Sequence, residues 1–304
     1  MTEFLQGYMP LLSSKMGHLG DELNGWVHIL MLILMVGWGI FFIYCLFRFS
    51  EKNNPKADYH GVTNHYSRYV EYGIVAFEAI LLIGFAIPGY NTVKYEHIND
   101  STHDVEVRVV AQQFAWNIHY PGEDGKFGNT KISLVDEETN PLGLDRSGYG
   151  ADDLTTINQL HLPVDKMIKL YISSKDVIHG FSLPEMRVKQ DAIPGMQVPI
   201  YFTPTLTSDD FLESLVGTAR EGMGYEIACA QLCGNSHYRM KGYMTIHTMD
   251  EYVQWLETND EPFEFPIRTE FTPEEIFSPA RIRRENRFDI WCGYDLHLQI
   301  YQKF

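Results

Sequence analysis

Two long apolar runs open the chain, and short alternating ones fill most of the rest. Trp26 to Phe49 carries no charge before Arg48. At about 1.5 Å per residue, a helix over this run is about 36 Å long, enough for a tilted membrane crossing. A second apolar run covers 72–93. Between them lies a polar connector, 50–70, with Lys52, Lys56 and Arg68 inside it and Arg48 at its edge. Asp21 and Glu22 flank the outer end of the first run. An excess of Lys and Arg in a short loop marks the cytoplasmic side, so the connector is expected inside and both termini outside. Residues 1–24 lack the basic start and small-residue cleavage site of a signal peptide.

From about 101 the period changes to two. Val105, Val107 and Val109 alternate with Glu106 and Arg108, and Ile168, Leu170 and Ile172 repeat the habit, as does Tyr243-Met-Thr-Ile-His247. Short alternating strands between turn residues predict a β-sandwich. Residues 121–165 are rich in Gly and Asp and read mostly as loop. Within 204–222, Thr207 or Ser208 is placed to cap a small helix. A short helix is expected over Asp250–Glu257. Beyond it, Thr272-Pro-Glu-Glu has a capping-box pattern with Pro at the first helical position. Arg281, Arg283, Arg284 and Arg287 then form a basic cluster followed by aromatics, a tail suited to docking on a partner.

Charge and cysteine content narrow the classes. The 304 residues carry a net charge of −16, which argues against nucleic acid and suits a basic protein partner. Four cysteines are too few for a disulfide scaffold. Cys45 lies in the first apolar run and reads as a buried thiol, whereas Cys292 receives no role. The absence of Cys-x-x-Cys-His excludes a covalently attached c-type haem. Within the second run, Glu71 and Glu78 lie seven residues apart on one helix face. A carboxyl group inside a membrane helix is costly, which makes such a residue a candidate for function.

The chemistry gathers in Cys229-Ala-Gln-Leu-Cys233-Gly-Asn-Ser-His237-Tyr-Arg-Met240. Two thiols, an imidazole and a thioether select copper, zinc or an iron–sulfur cluster over hard cations, and the Met favours copper. His179, fifty residues upstream of Cys229, supplies a second imidazole. This donor set exceeds the needs of one copper and suits two coppers sharing both thiolates. A structural zinc or a disulfide is the alternative. A disulfide would remove the ligands and leave the His and Met spacing unexplained.

The run Cys-x-x-x-Cys-Gly-x-x-His-x-x-Met is preceded by Asp-Val-x-His-x-Phe-x-x-Pro from Asp176 and by Asp191-Ala-Ile-Pro-Gly195. Together they closely resemble subunit II of the haem–copper cytochrome c oxidases, over about residues 20–257. The resemblance implies an α+β membrane protein in which a two-helix transmembrane hairpin precedes a cupredoxin-like Greek-key β-sandwich and a C-terminal extension. The expected divisions are 1–25 external, 26–93 hairpin, 94–257 copper domain and 258–304 extension. It also implies a dinuclear CuA centre. In that centre Cys229 and Cys233 bridge both coppers, His179 and His237 cap one each, Met240 binds weakly, and the Gln231 main-chain carbonyl completes the set.

Three departures from the family's pattern stand out. Gln231 replaces a Glu whose carboxylate helps to bind magnesium at the boundary with subunit I, and a neutral amide is a weaker ligand for that ion. Phe114 replaces the first Trp of an aromatic electron-entry stretch whose second Trp is matched by Trp116; Phe lacks the indole N–H. Residues 204–222 are longer than in short relatives and read as an insertion beside the copper site. Glu71 matches the acid at the mouth of a proton path into subunit I, and Glu78 stands where the family usually has Pro.

The implied function is the electron-entry subunit of a proton-pumping terminal oxidase. It would take electrons from a cytochrome c type donor and pass them to haem in subunit I, where oxygen is reduced; it has no catalytic residue of its own. The implied partners are subunits I and III, lipid, and a donor whose docking Phe114 and the tail make a candidate for a stable supercomplex. The implied place is a bacterial inner membrane, with the copper domain on the periplasmic side. A quinol-oxidase subunit lacks these ligands, and a soluble nitrous oxide reductase lacks two spans. The CuA subunit of a nitric oxide reductase and a membrane-tethered copper chaperone are the alternatives.

Overall fold

The computed structural model describes residues 9–56, 60, 65–94, 103–137 and 139–258. The expectations for residues 259–304, Cys292 included, lie outside them. Helix α1 spans Gly17–Arg48, 32 residues, or about 48 Å. It starts well before the apolar run and takes in Asp21 and Glu22 in its second turn. The second helix runs as α2 (Tyr66–Leu81), a π-helical segment (Leu82–Ala86) and α3 (Ile87–Lys94). Pro88 has no N–H, and its ring crowds the carbonyl four residues back, at Gly84, inside that π segment. Both helices are long and apolar enough to cross a membrane. Glu71 and Glu78 are exposed on α2.

Among the described residues ten strands follow, in two five-stranded sheets ordered β3-β2-β1-β5-β8 and β4-β10-β9-β6-β7. The first sheet holds β1 (Val105–Gln112), β2 (Ala115–Tyr120), β3 (Leu154–Ile157), β5 (Ile168–Ser174) and β8 (Val198–Phe202). The second holds β4 (Gln159–Pro163), β6 (His179–Leu183), β7 (Val188–Ala192), β9 (Tyr225–Cys229) and β10 (Lys241–His247). Strands β1 and β5 run parallel with Val107 opposite Leu170, so the alternating valines and aliphatics point to one side together. Val107, Val109, Leu170 and Ile172 from one sheet, and Leu160, Phe181, Ile227 and Met244 from the other, are buried in one core. Each such side chain contributes about 1.5–3 kcal/mol by leaving water.

Residues 121–153 form the expected loop, but β3 and β4 occupy the end of the stretch read as loop. The loop is organised by polar side chains instead of a core. Buried Asp153 accepts from His119 Nε2 at 2.5 Å and from the Gly128 N–H at 2.7 Å. Helix α4 (Ser208–Ser214) is capped by Thr207, whose hydroxyl accepts from the Asp210 N–H. Helix α4 of the segment 204–222 does not lie beside Cys229 and Met240. Ser208 Oγ accepts from the Ile246 N–H at 2.9 Å, and Phe211 stacks on Tyr225 with centroids 4.0 Å apart. Ile246 and Tyr225 lie at the ends of β10 and β9 remote from Met240 and Cys229. Helix α5 (Met249–Thr258) opens with a reciprocal capping box: the Thr248 N–H donates to Glu251 and the Glu251 N–H to Thr248.

Candidate metal centre

Antiparallel pairing of β6 with β9 places Phe181 opposite Cys229, which sets Cys229 beside the strand that His179 opens. The Ala230 N–H donates to the Gly180 carbonyl at 2.8 Å, drawing the following loop onto β6. A Cβ on Gly180 would stand 2.9 Å from the Gln231 nitrogen, so only glycine lets the loop lie this close. The loop from Cys229 to Lys241 is closed by the Cys229 N–H on the Met240 carbonyl and shaped by a 3-10 turn over His237–Arg239. Gly234 sits at φ +135°, and a Cβ there would meet the Gln113 amide at 2.7 Å and the Phe114 ring at 3.1 Å. The Gln113 amide donates to the Cys233 carbonyl at 2.6 Å, anchoring the loop to the β1–β2 turn.

Within this frame the soft donors converge. The two thiol sulfurs are 3.7 Å apart. His179 Nδ1 lies 4.0 Å from Cys229 Sγ, and His237 Nδ1 lies 3.6 Å from Cys233 Sγ. Met240 Sδ is 3.7 Å from Cys233 Sγ, and the Gln231 carbonyl oxygen is 3.2 Å from Cys229 Sγ. Metal–thiolate bonds of about 2.3 Å and metal–imidazole bonds of about 2.0 Å let one ion bridge sulfurs up to about 4.6 Å apart. A sulfur–nitrogen pair can be bridged up to about 4.3 Å. The separations therefore lie within what a soft metal can bridge. His179, Cys229 and Cys233 form a mutually close group, the one such cluster among the described residues. His237 stands outside that group and approaches it through Cys233, so the thiol pair has an imidazole at each end.

Electrostatics prepare the donors. His179 Nε2 is 2.8 Å from Asp176 Oδ1. An ionised carboxylate only accepts, so Nε2 carries the proton and Nδ1 turns its lone pair to the sulfurs. Burial works against the Asp176 charge, but hydrogen bonds from His179 and from the Gln113 and Val177 N–H groups hold its carboxyl below the usual range. Burial, and then the Cys229 sulfur, push the Cys233 thiol up to about 11. Metal uptake at this thiol therefore releases a proton. His179 and Met240 are buried, while Cys229 is half-buried.

Trp116 is completely buried, edge-on to Phe181 with centroids 5.4 Å apart and to His179 at 6.2 Å. Trp116 is therefore not itself a surface contact for a docked partner. Its place is behind His179. Phe114 is half-buried beneath Gly234. The Gln231 side chain is exposed and offers one neutral amide, which does not make a magnesium site within this chain. Glu71 sits on α2, on a different element from the sulfurs. Sequence reasoning missed Asp176 as the partner of His179, although an acid three residues before a candidate ligand was visible. Gln113 gave no local signal, because its contact with Cys233 spans 120 positions.

Residues 105–246 match the family model described as cytochrome c oxidase subunit II, periplasmic domain. The alternative cytochrome c oxidase subunit 2 of Bradyrhizobium diazoefficiens is 29% identical over 250 residues, covering 81% of this chain and 82% of the relative. Cytochrome c oxidase subunit 2 of Cereibacter sphaeroides is 26% identical over 245 residues, covering 77% of this chain and 74% of the relative. Among solved structures, the periplasmic domain of subunit II of cytochrome oxidase from Bradyrhizobium japonicum is 28% identical. It covers 51% of this chain and 93% of that domain, with a TM-score of 0.35.

Proposed function

Residues 105–246 are a periplasmic domain of the cytochrome c oxidase subunit II family, and from that premise we propose that this chain is the electron-entry subunit of a haem–copper terminal oxidase. The observation that carries the reading is the thiol pair with an imidazole at each end. Cys229 and Cys233 would hold two coppers between them, His179 and His237 one each, with Met240 and the Gln231 carbonyl as weak outer donors. Such a copper pair supplies one-electron chemistry with the charge shared over two metals and two sulfurs.

The chain's own groups do the rest. Asp176 fixes the tautomer and orientation of His179. Burial of His179, Cys233 and Met240 excludes water and holds the donors in one arrangement, so little has to move when an electron arrives or leaves. Gln113 and Gly234 hold the loop that carries every proposed ligand except His179. The electron would come from a cytochrome c type donor and leave to haem in subunit I, where oxygen is reduced; subunit III and a stable donor supercomplex complete the proposed partners. The proposed topology has two spans in a bacterial inner membrane with the metal domain outside, and Glu71 at the entrance of a proton path. Three buried ligands, His179, Cys233 and Met240, suit a resident metal rather than the exchangeable cargo of a chaperone.

The test is purification of the membrane complex through a tag on this chain. Two coppers per chain, a copurifying haem-bearing subunit, and oxygen uptake driven by reduced cytochrome c are expected. Zinc or a single copper in the chain, or nitric oxide turnover without oxygen turnover, would overturn the reading.

A further inference from the structure

The first membrane helix is fastened to the metal domain by more than its chain connection. Ahead of Gly17, the segment lies across the domain. Ser14 bridges to Pro204, the Ser13 N–H donates to the Glu185 carbonyl at 2.8 Å, and the Thr205 N–H donates to the Ser13 carbonyl at 2.9 Å. The Lys15 N–H donates to the Thr203 carbonyl at 3.1 Å, and Ser14 Oγ donates to the Met186 carbonyl at 2.7 Å. Ser13 and Ser14 are buried by this contact.

Arg187 closes it. Its Nε and Nη2 donate to the two oxygens of Asp21, on α1, at 2.7 and 3.0 Å. Nη2 also donates to the Pro10 carbonyl at 2.8 Å, and Nη1 to the Pro184 carbonyl at 2.7 Å. The ion pair is largely shielded, with side-chain exposures of 13% and 12%. A two-pronged guanidinium–carboxylate pair fixes direction as well as distance, which a lysine ammonium would not. Arg187 adopts φ +56°, the left-handed region that a long side chain seldom occupies. The turn therefore holds an unfavourable backbone state in a place where this side chain reaches the helix. Gly17 completes the fit, since a Cβ there would stand 2.9 Å from Arg187 Cγ.

The position of this clamp matters because Arg187 ends the turn that follows β6, and β6 begins with His179. One strand and one turn separate the candidate metal ligand from the membrane helix. We propose that Arg187 is a positioning residue which, with Asp21, sets the height and orientation of the metal centre over the membrane and hence its separation from the acceptor in the partner subunit. The proposal rests on the function given above. Electron transfer makes and breaks no bond, so its rate responds to separation and orientation even when both redox centres are intact. A domain that swings on its anchor would lose that geometry without losing its metal.

The experiment uses the whole oxidase reconstituted in lipid vesicles, with Arg187→Ala, Asp21→Asn and the exchanged pair Arg187→Asp with Asp21→Arg. The single variants are expected to keep the copper spectrum, the potential and the rate of reduction by soluble donor, while transfer from copper to haem slows several-fold. The exchanged pair should recover part of that rate. Spin labels introduced at Glu51 and Ile157 by a cysteine-independent route give a second measure. The distance distribution should be narrow in the native chain and broad in both single variants. Native internal transfer and an unbroadened distribution in Arg187→Ala would overturn the proposal. If Arg187→Ala does not assemble, the isosteric Asp21→Asn decides by the same two readouts. Should the native chain carry no copper pair, the proposed function fails, and the distance distribution still reports whether the clamp holds the domain.

Discussion

Two pairs of histidines sit at opposite ends of the same sandwich, and they are used in opposite ways. His179 and His237 turn Nδ1 towards sulfur. His161 and His247 turn towards each other, with Nδ1 of the first 2.8 Å from Nε2 of the second. Strand β10 links the two ends: it leaves Met240 and reaches His247 about 23 Å on. At the far end the imidazoles satisfy one another, and His161 stacks on Trp255 with centroids 4.2 Å apart. A hollow of about 700 Å³ opens there, lined by His161, Asp209, His247, Glu251 and Trp255. Among the described residues, no thiol or third ligating group joins that pair in a close cluster. The donors that its free nitrogen meets suit an imidazole to be a ligand, aided at His179 by the carboxylate that ties its other nitrogen; the size of the neighbouring cavity does not make it one.

The sharpest way to break this contrast is to exchange the treatment of the two ends. Cys229→Ser or Cys233→Ser should abolish the copper signal and reduce oxygen uptake to background. His161→Phe should leave both intact, and should cost about 1–3 kcal/mol of stability by leaving His247 unpaired. Copper quantification, turnover and thermal melting on the same preparations separate the outcomes. A full loss of copper in His161→Phe would put the second pair in the metal site after all.

Asp176→Ala probes what orients His179 in the first pair. Removing the carboxylate that orients a ligating imidazole typically lowers metal affinity about 10–100-fold. Copper competition titrations should show a loss in that range, while the spectrum at saturating copper stays close to native. Unchanged affinity would mean that His179 is oriented by packing against Trp116 alone.

Gly234→Ala should destabilise the ligand loop by about 1–3 kcal/mol, since φ +135° is left-handed and the Gln113 amide blocks a Cβ. Melting of the metal-free domain would register it, and recovery in Gly234→Ala with Gln113→Ala would assign the part due to the clash.

The effect confined to the narrowest conditions, acid pH, concerns the second pair. Burial, and then His247, hold His161 down to about 3 from an ordinary 6.5. Between those values the unfolded chain binds a proton that the folded chain does not. Stability should therefore fall as pH drops from about 6.5 towards 3, by at most about 1.4 kcal/mol per unit. His161→Phe should flatten that slope in denaturant titrations. An equal slope in the variant would place the acid sensitivity elsewhere.

The ends of the molecule also differed in how far the sequence disclosed them. The ligand loop was legible because soft donors at close spacing have few other uses, and because valine alternation marks strands such as β1. The start of α1 was hidden: Asp21 and Glu22 look like a flank, and only the contact with Arg187, 166 positions away, shows why a charged turn is helical there. Strands β3 and β4 were masked by a Gly- and Asp-rich stretch whose order comes from Asp153. The segment 204–222 stands at the other end from its expected place for a related reason. Its position along the chain lies close to Cys229, but Phe211 finds its buried partner at the start of β9, not at its end.

The central claim is that one thiol pair, capped by an imidazole on each side, holds two coppers that share an electron. The most direct measurement is the EPR spectrum of the copper-loaded oxidase before and after one-electron reduction. An electron shared equally by two copper nuclei gives a many-line hyperfine pattern that disappears on reduction, and this is the result expected. The four-line pattern of a single copper, or a site that binds only zinc and stays silent, would contradict the account.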